Sequence, residues 1–220
     1  MSKTFTELKT SIGQWLGIDL EDDATRLPDA VRGDIINLCQ RDYLRRRESR
    51  FSEFSDTFAT IASPVTPSYA VPTGWSKPKS LWYASPDDST QIIFLKWKDK
   101  DEFDSLYPDS TATADPESYT VWQEKIYLGK SPKRVLTIHR NYWKLLADLV
   151  DGSPNNENIF TQQAWEYLLF ASLVMATEFG VEDARAPIWE RERAKIERAL
   201  DLEDTRRVQT GRTPQSTEPG

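Results

Sequence analysis

An α+β fold is predicted from the sequence: a helical bundle built from N- and C-terminal helices, with an inserted antiparallel β-region and a disordered or extended C-terminal tail. Apolar residues recur at helical spacing near both ends of the chain, whereas the middle holds short β-branched and aromatic runs bounded by Pro, Gly, Asp or Ser. Aromatic residues make up 11% of the chain, which indicates a folded protein because disordered chains are poor in them. The predicted domains are residues 1–50 and 139–202 for the bundle, 51–138 for the β-rich insertion and 203–220 for the tail.

Two helices are predicted in the first 50 residues. The stretch FTELKTSIGQWLG forms one short helix that ends near Gly17. The second helix begins at Pro28, since proline suits the first helical position. Its apolar side carries Val31, Ile35, Leu38, Cys39 and Tyr43. Because Cys39 lies on that stripe, we interpret it as a small core residue.

Strands and turns are predicted from Phe51 to about Arg134. The strand-like runs include DTFATIAS, SLWYASPDDSTQIIFLKW and YTVWQEKIYLG. The segment ASPDDSTQ separates two apolar runs and indicates a hairpin loop. The segment DKDEFDSLYP is expected to form one or two helical turns.

Helices are predicted again from His139, beginning with HRNYWKLLADL. A second helix of this region, from about Ile159 to Gly180, contains the most apolar stretch of the chain, WEYLLFASLVMATEFG. It is apolar nearly all round and must be buried on nearly all sides. About three other helices are available to cover it, which leaves part of its surface for a partner. A last helix is predicted from about Ala186 to Leu202, and the tail beyond it is too polar to fold alone.

Charge and hydropathy exclude several classes of protein. The net charge is −7, from 28 basic and 35 acidic residues, and no region is strongly basic. A protein that reads or packages DNA needs a basic surface for the phosphates, so neither role is predicted. The longest apolar helix has 11 uncharged residues between Glu166 and Glu178, against the roughly 20 that a membrane span needs. We expect a soluble chain made in a cytoplasm, with no membrane contact.

No catalytic residue, metal site or cofactor is predicted. The single histidine, His139, and the single cysteine, Cys39, supply neither a Cys/His metal site nor a recognisable catalytic triad. Paired carboxylates of a glycosidase depend on their separation in three dimensions, so the sequence leaves that possibility open. The arginine cluster in YLRRRESRF is interpreted as ion pairing at a helix end, with contact to a phosphate as the alternative.

Six segments together resemble the head-to-tail adaptor proteins of tailed bacteriophages. In order, they are RDYLRRRESRFSEFSDTF, YAVPTGWSKPKSLWY, DEFDSLYP, YTVWQEKIYLG, VLTIHRNYWKLL and AWEYLLFASLVMATEF, within residues 30–200. The most specific positions are Phe103, Leu106, Tyr107, Pro108 and the late Trp189. The resemblance implies a virion protein of the head–tail junction that forms a ring, commonly of twelve copies, beneath the portal protein. A tail or nozzle protein would attach below, and genomic DNA would pass through the lumen without specific binding.

The resemblance implies a portal contact for the C-terminal tail, and the composition of the chain predicts which residues meet these partners. The C-terminal tail is expected to contact the portal through Arg206, Arg207, Val208 and Arg212. Contacts with the next copy or with a tail protein are expected from seven apolar or aromatic residues: Trp75, Trp82, Tyr83, Trp97, Trp122, Phe170 and Val174. Two alternatives remain open, a virion enzyme that cleaves a polymer such as peptidoglycan and a plain soluble binding module.

Overall fold

The computed structural model describes residues 2–18, 27–62, 68–108, 112–152, 154–179 and 181–210. The helices are α1 (Phe5–Leu16), α2 (Asp29–Arg46), α3 (Lys100–Leu106), α4 (Ile159–Glu178) and α5 (Ala186–Thr210). The strands are β1 (Glu53–Ala59), β2 (Ser68–Ala70), β3 (Trp75–Ala84), β4 (Ile92–Trp97), β5 (Ser118–Trp122), β6 (Lys125–Leu128) and β7 (Thr137–Lys144). The chain divides into a helical unit, Met1–Ser52 with Leu146–Gly220, and a β unit, Glu53–Leu145.

Local sequence signals fix the ends of the first helix. Thr4 caps α1 through a hydrogen bond from the Glu7 backbone, and the Glu7 carboxylate accepts one from the Thr4 backbone in return. Gly17 ends the helix in the left-handed conformation, with φ of 67°, which glycine adopts without strain. The predicted helix ending near Gly17 is therefore confirmed, and α2 begins one residue after Pro28.

Helix α4 lies at the centre of the helical unit. It packs against α1, α2 and α5, which explains why its sequence is apolar nearly all round. Its first half joins an aromatic cluster formed by Tyr43, Phe51, Phe160 and Tyr167. Most of α4 is covered by its own chain, whereas Phe170 and Val174 stay half-buried.

The β unit is one seven-stranded sheet in the order β1-β7-β3-β4-β5-β6-β2. Neighbouring strands are antiparallel except for β4 and β5, which are parallel. A parallel pair needs a crossover connection, and the segment containing α3 provides it. The sheet is curled into a half-barrel around a core of eight buried residues: Leu81, Tyr83, Leu95, Tyr119, Ile126, Leu128, Leu136 and Ile138.

The predicted fold class, a helical bundle with a small antiparallel insert, is wrong. The described residues contain five helices together with a seven-stranded mixed sheet that forms a unit of its own. The prediction failed because the segment around α3 was interpreted as an interruption of an antiparallel region. It is instead the connection that allows β4 and β5 to run in parallel.

Two predicted boundaries are also wrong. The helix expected from His139 is the strand β7, in which Ile138, Arg140 and Tyr142 are buried on one side and the residues between them are not. This period of two is typical of a strand. At the other end, α5 continues to Thr210 rather than stopping at Leu202, so residues 203–210 are helical and not an extended tail.

Candidate assembly surfaces

The arginine-rich end of α2 pairs with acidic residues of α5. Arg47 Nη2 lies 2.8 Å from Glu197 Oε1, and Arg47 also pairs with Asp201. Arg50 Nη2 lies 2.6 Å from Glu203 Oε2, and its Nε lies 3.9 Å from Asp204. The predicted ion pairing of this cluster is confirmed for Arg46, which pairs with Asp42, and for Arg47 and Arg50.

These pairs extend along α5 as far as Asp204. Glu197, Asp201 and Asp204 are spaced four and three residues apart, so they lie on one side of the helix and face the arginines. Sequence reasoning missed this acidic row because the predicted helix stopped at Leu202, which left Asp204 in the predicted tail. The spacing of the three carboxylates was the signal that could have found it.

The residues predicted to bind a portal lie at the end of α5 and beyond it. Arg206 is exposed on the helix. Arg207 and Val208 belong to the same helix. Arg212 lies outside the described residues. Arg206, Arg207 and Val208 therefore follow the ion-paired part of α5 directly.

The predicted interface residues of the β unit differ in their exposure. Trp97 and Trp122 are largely exposed, at the ends of β4 and β5. Trp75 stacks on Tyr142 with ring centroids 4.8 Å apart and is half-buried. Tyr83 is only 1% exposed and its hydroxyl donates a hydrogen bond to the Pro116 carbonyl at 3.1 Å. Tyr83 is therefore a core residue of this unit, with no surface free for a partner.

Trp82 and His139 lie on neighbouring strands and stack on each other. Their ring centroids are 3.8 Å apart and their planes differ by 2°. The register pairs the two residues directly across β3 and β7. The structure thus gives the single histidine a packing role in the sheet.

The helical unit carries the last two predicted interface residues. Phe170 meets Trp15 edge to face, with centroids 5.6 Å apart, and both rings keep part of their surface exposed. Val174 lines a small pocket of about 40 Å³ together with Cys39, Tyr167 and Arg193. Burial raises the pKa of the Cys39 thiol to about 12, so the nucleophilic thiolate is disfavoured at neutral pH. The Cys39 side chain in this pocket therefore has a packing role and is not suited to act as a nucleophile.

Two further findings bear on function. Among the described residues, no group of three or more His, Cys, Asp or Glu side chains is arranged to hold a metal ion. None of the described helices combines the length and the hydropathy that crossing a bilayer requires.

Comparison with known proteins completes these observations. The sequence model of one family, described as SU10 adaptor protein, matches residues 3–217. A comparison with curated individual proteins gives no match. Because the match spans almost all of the 220 residues, it includes both structural units. The chain therefore belongs to the SU10 adaptor protein family and is a structural adaptor protein of a bacteriophage.

Proposed function

We propose that this chain forms a ring beneath the portal of a tailed phage, where it provides the attachment site for the tail and a conduit for DNA. The observation that carries the proposal is the family match over residues 3–217, which includes both units of the chain. In a ring of twelve copies each subunit presents two different surfaces to its neighbours. The partly exposed apolar residues of both units support such contacts.

The portal contact is assigned to the end of α5 and the residues after it. Arg206, Arg207 and Val208 follow a helix segment that pairs with Arg47 and Arg50, just after α2. A rigid base for the binding residues lowers the ordering entropy that docking costs. Arg212 would extend the same contact, and twelve such ends on one ring would strengthen docking through avidity.

Contacts with the next copy or with a tail or nozzle protein are assigned to the partly exposed aromatic residues. Trp97 and Trp122 present the largest apolar surface of the predicted set, and aromatic residues are enriched at interfaces. Trp75, Trp82, Phe170 and Val174 would contribute their exposed edges. Tyr83 is left out because its side chain is enclosed by its own unit.

DNA would pass through the lumen without specific binding. A net charge of −7 per chain gives a ring an acidic character, which disfavours tight contact with phosphates. The chain's role in this proposal is structural, and its location is the head–tail junction of the virion. No observation on the described residues favours the polymer-cleaving enzyme or the plain binding module over the adaptor.

Sedimentation of the purified chain with and without its cognate portal ring tests the proposal. The chain is expected to co-sediment with the portal as a complex larger than the portal alone. A variant in which Arg206 and Arg207 are both replaced by Glu should bind less, and Arg191→Glu, at an exposed position elsewhere on α5, serves as the control. A chain that never joins the portal at any concentration would contradict the adaptor role.

A further inference from the structure

One side of α5 carries a run of exposed positive charges. Basic residues recur there at intervals of three or four, roughly opposite the buried Trp189. Two apolar residues flank them at the ends, Ile188 and Leu202, which are 51% and 59% exposed. We call this set the basic row: Ile188, Arg191, Lys195, Arg198 and Leu202.

The chain itself compensates the charges of the basic row only in part. The amino group of Lys195 and Nε of Arg191 share one carboxylate, that of Glu192, at 3.5 and 3.8 Å. Arg198 is exposed and makes no ion pair with the residues that the structure describes. The row thus keeps an excess of positive charge beside apolar surface, although the net charge of the chain is −7. Such a surface suits a partner that is both apolar and acidic.

Helix α4 leaves an apolar and acidic strip of its own surface open. Glu166, Phe170 and Val174 follow the irregular residue Ala164 at intervals of four, so they lie on one side of the helix. Glu166 is exposed and makes no ion pair within the described part of the chain, whereas Phe170 and Val174 are half-buried. Ile159, seven residues before Glu166, is 39% exposed. We call these residues the α4 row: Ile159, Glu166, Phe170 and Val174.

The two rows match when their helices run antiparallel. If Glu166 lies opposite Lys195, a carboxylate meets an ammonium group. Ile159 lies seven residues before Glu166. Leu202 lies seven residues after Lys195, so the two exposed apolar side chains come level as well. Seven residues span about 10.5 Å along a helix axis, which separates this apolar contact from the charged one.

The match continues on the other side of the charged pair. Val174 lies eight residues after the carboxylate, and Ile188 lies seven residues before the amino group. These two apolar side chains therefore come level to within one residue, about 1.5 Å. Phe170 meets the aliphatic stem of Arg191, whose guanidinium stays in water. The contact has apolar pairs at both ends and one ion pair between them, and the charge of Arg191 is not part of it.

The partner that fits the basic row is a second copy presenting a different surface. Two basic rows facing each other would repel, which excludes a symmetric pair through this side. Both rows keep exposed surface in the single chain, so neither covers the other. Duplex DNA would use the cations and leave the apolar ends, Ile188 and Leu202, without a contact. A contact between two different surfaces of identical chains is heterologous, and such contacts close into rings.

We propose that the basic row of each copy packs antiparallel on the α4 row of the next copy, with Lys195 of one beside Glu166 of the other. This assignment rests on the proposed ring and names the two surfaces that close it. Within one chain, α4 and α5 are packed neighbours joined by residues 179–185, and a connection this short makes them antiparallel. A ring of twelve rotates each copy by only about 30°, which keeps α5 of one copy nearly antiparallel to α4 of the next.

Chemical cross-linking on the portal tests the pairing. Ile159→Cys and Leu202→Cys are made as separate variants, mixed, bound to the cognate portal and treated with a short bis-maleimide. The mixture is expected to give a cross-linked dimer on a denaturing gel, whereas each variant alone should give at least fivefold less. The reason is that two different surfaces meet, so neither cysteine faces its own counterpart. The buried Cys39 should stay silent.

Charge reversal tests the central ion pair in the same mixture. Lys195→Glu, added to the Leu202→Cys chain, should lower the yield of dimer at least fivefold. Glu166→Lys, added to the Ile159→Cys chain, should then restore it. Glu182→Lys reverses an exposed carboxylate outside the α4 row, and as the control it should leave the yield unchanged. Circular dichroism confirms that the variants are folded.

Each outcome decides for or against the pairing. Binding to the portal without a cross-linked dimer would overturn it and leave the adaptor role standing. A full yield of dimer from either cysteine variant alone, or a yield that Lys195→Glu leaves unchanged, would overturn it too. If Lys195→Glu instead weakens binding to duplex DNA, the basic row belongs to DNA. If the chain does not bind the portal, the proposed portal contact fails, and cross-linking of the free chain at high concentration decides: a dimer from the mixture keeps the pairing, and its absence overturns it.

Discussion

Arg47 donates a hydrogen bond of 2.8 Å from Nη2 to Glu197 Oε1 and thereby joins the end of α2 to the middle of α5. The Glu197 side chain is largely buried, so this pair is protected from solvent better than an ordinary surface ion pair. The same arginine also pairs with Asp201. Residues far apart in the sequence thus hold the helix that leads to the proposed portal-binding end.

We expect Glu197→Gln to lower the free energy of unfolding by about 1–3 kcal/mol, because it leaves Arg47 with a weaker partner in a largely enclosed position. Chemical denaturation measures the change. Glu190→Gln is the control, since Glu190 is exposed and lies 3.9 Å from Arg193, and it should change stability by less than about 0.5 kcal/mol. Equal effects of the two substitutions would contradict the importance of the α2–α5 contact.

Two truncations should distinguish the contribution to stability of the helical residues 203–210 from that of residues 211–220. Deleting residues 211–220 is expected to leave the unfolding curve unchanged. Deleting residues 203–220 removes Glu203 and Asp204, the partners of Arg50, and should lower stability by about 0.5–1 kcal/mol. Differential scanning calorimetry of both truncated chains checks this difference. Identical melting of the two chains would mean that residues 203–210 do not stabilise the helical unit.

Replacement of Gly129 should destabilise the β unit. A Cβ added there would lie 2.5 Å from the ring of Tyr107, whose hydroxyl is 2.6 Å from Ser118 Oγ. Gly129→Ala therefore has to displace the ring, at a cost of about 1–3 kcal/mol. Adding Tyr107→Ala to Gly129→Ala should cost less than the sum of the single changes, because the clash disappears. If the two substitutions lower the free energy of unfolding additively, the close contact with Tyr107 is not the cause of the Gly129→Ala destabilisation.

Stability should fall in alkaline solution. Burial raises the pKa of Cys39 from its ordinary 9.0 to about 12, and burial also raises the pKa of Tyr119 from 10.0 to about 12. Above the ordinary pKa the unfolded chain loses these protons while the folded chain keeps them, so ionisation favours unfolding between about pH 9 and 12. Urea midpoints measured across this range should decrease. In the Cys39→Ala variant the urea midpoint should fall less near pH 9, because the thiol that titrates there in the unfolded chain is gone. A urea midpoint that is independent of pH would contradict this prediction.

Sequence patterns predicted some elements well and others poorly, for physical reasons. Gly17 and the helical spacing before it locate α1, because capping is a local effect. Tyr142, Leu145 and Leu149 fit helical spacing, so the local pattern around His139 is also compatible with a helix. Its pairing with β1 and β3 depends on partners more than 50 residues away, which local patterns do not report.

For the candidate surfaces too, local patterns predicted some residues, whereas others depend on partners far away in the sequence. Exposed Trp97 and Trp122 could be singled out as aromatic residues at strand ends, but the burial of Tyr83 depends on the curl of the whole sheet. The exposure of Ile92 and Phe94 was missed. Ile92 and Phe94 look like ordinary core residues in a strand, and only the register with β3 places them opposite the core.

In vitro tail joining tests the adaptor role most directly. Phage heads assembled without this protein would be mixed with purified tails, with or without the purified chain, and tailed particles would be counted by electron microscopy. We expect tails to attach only when the chain is added, and the chain then to lie between the portal and the tail. Efficient attachment of tails to heads that lack the chain would contradict it.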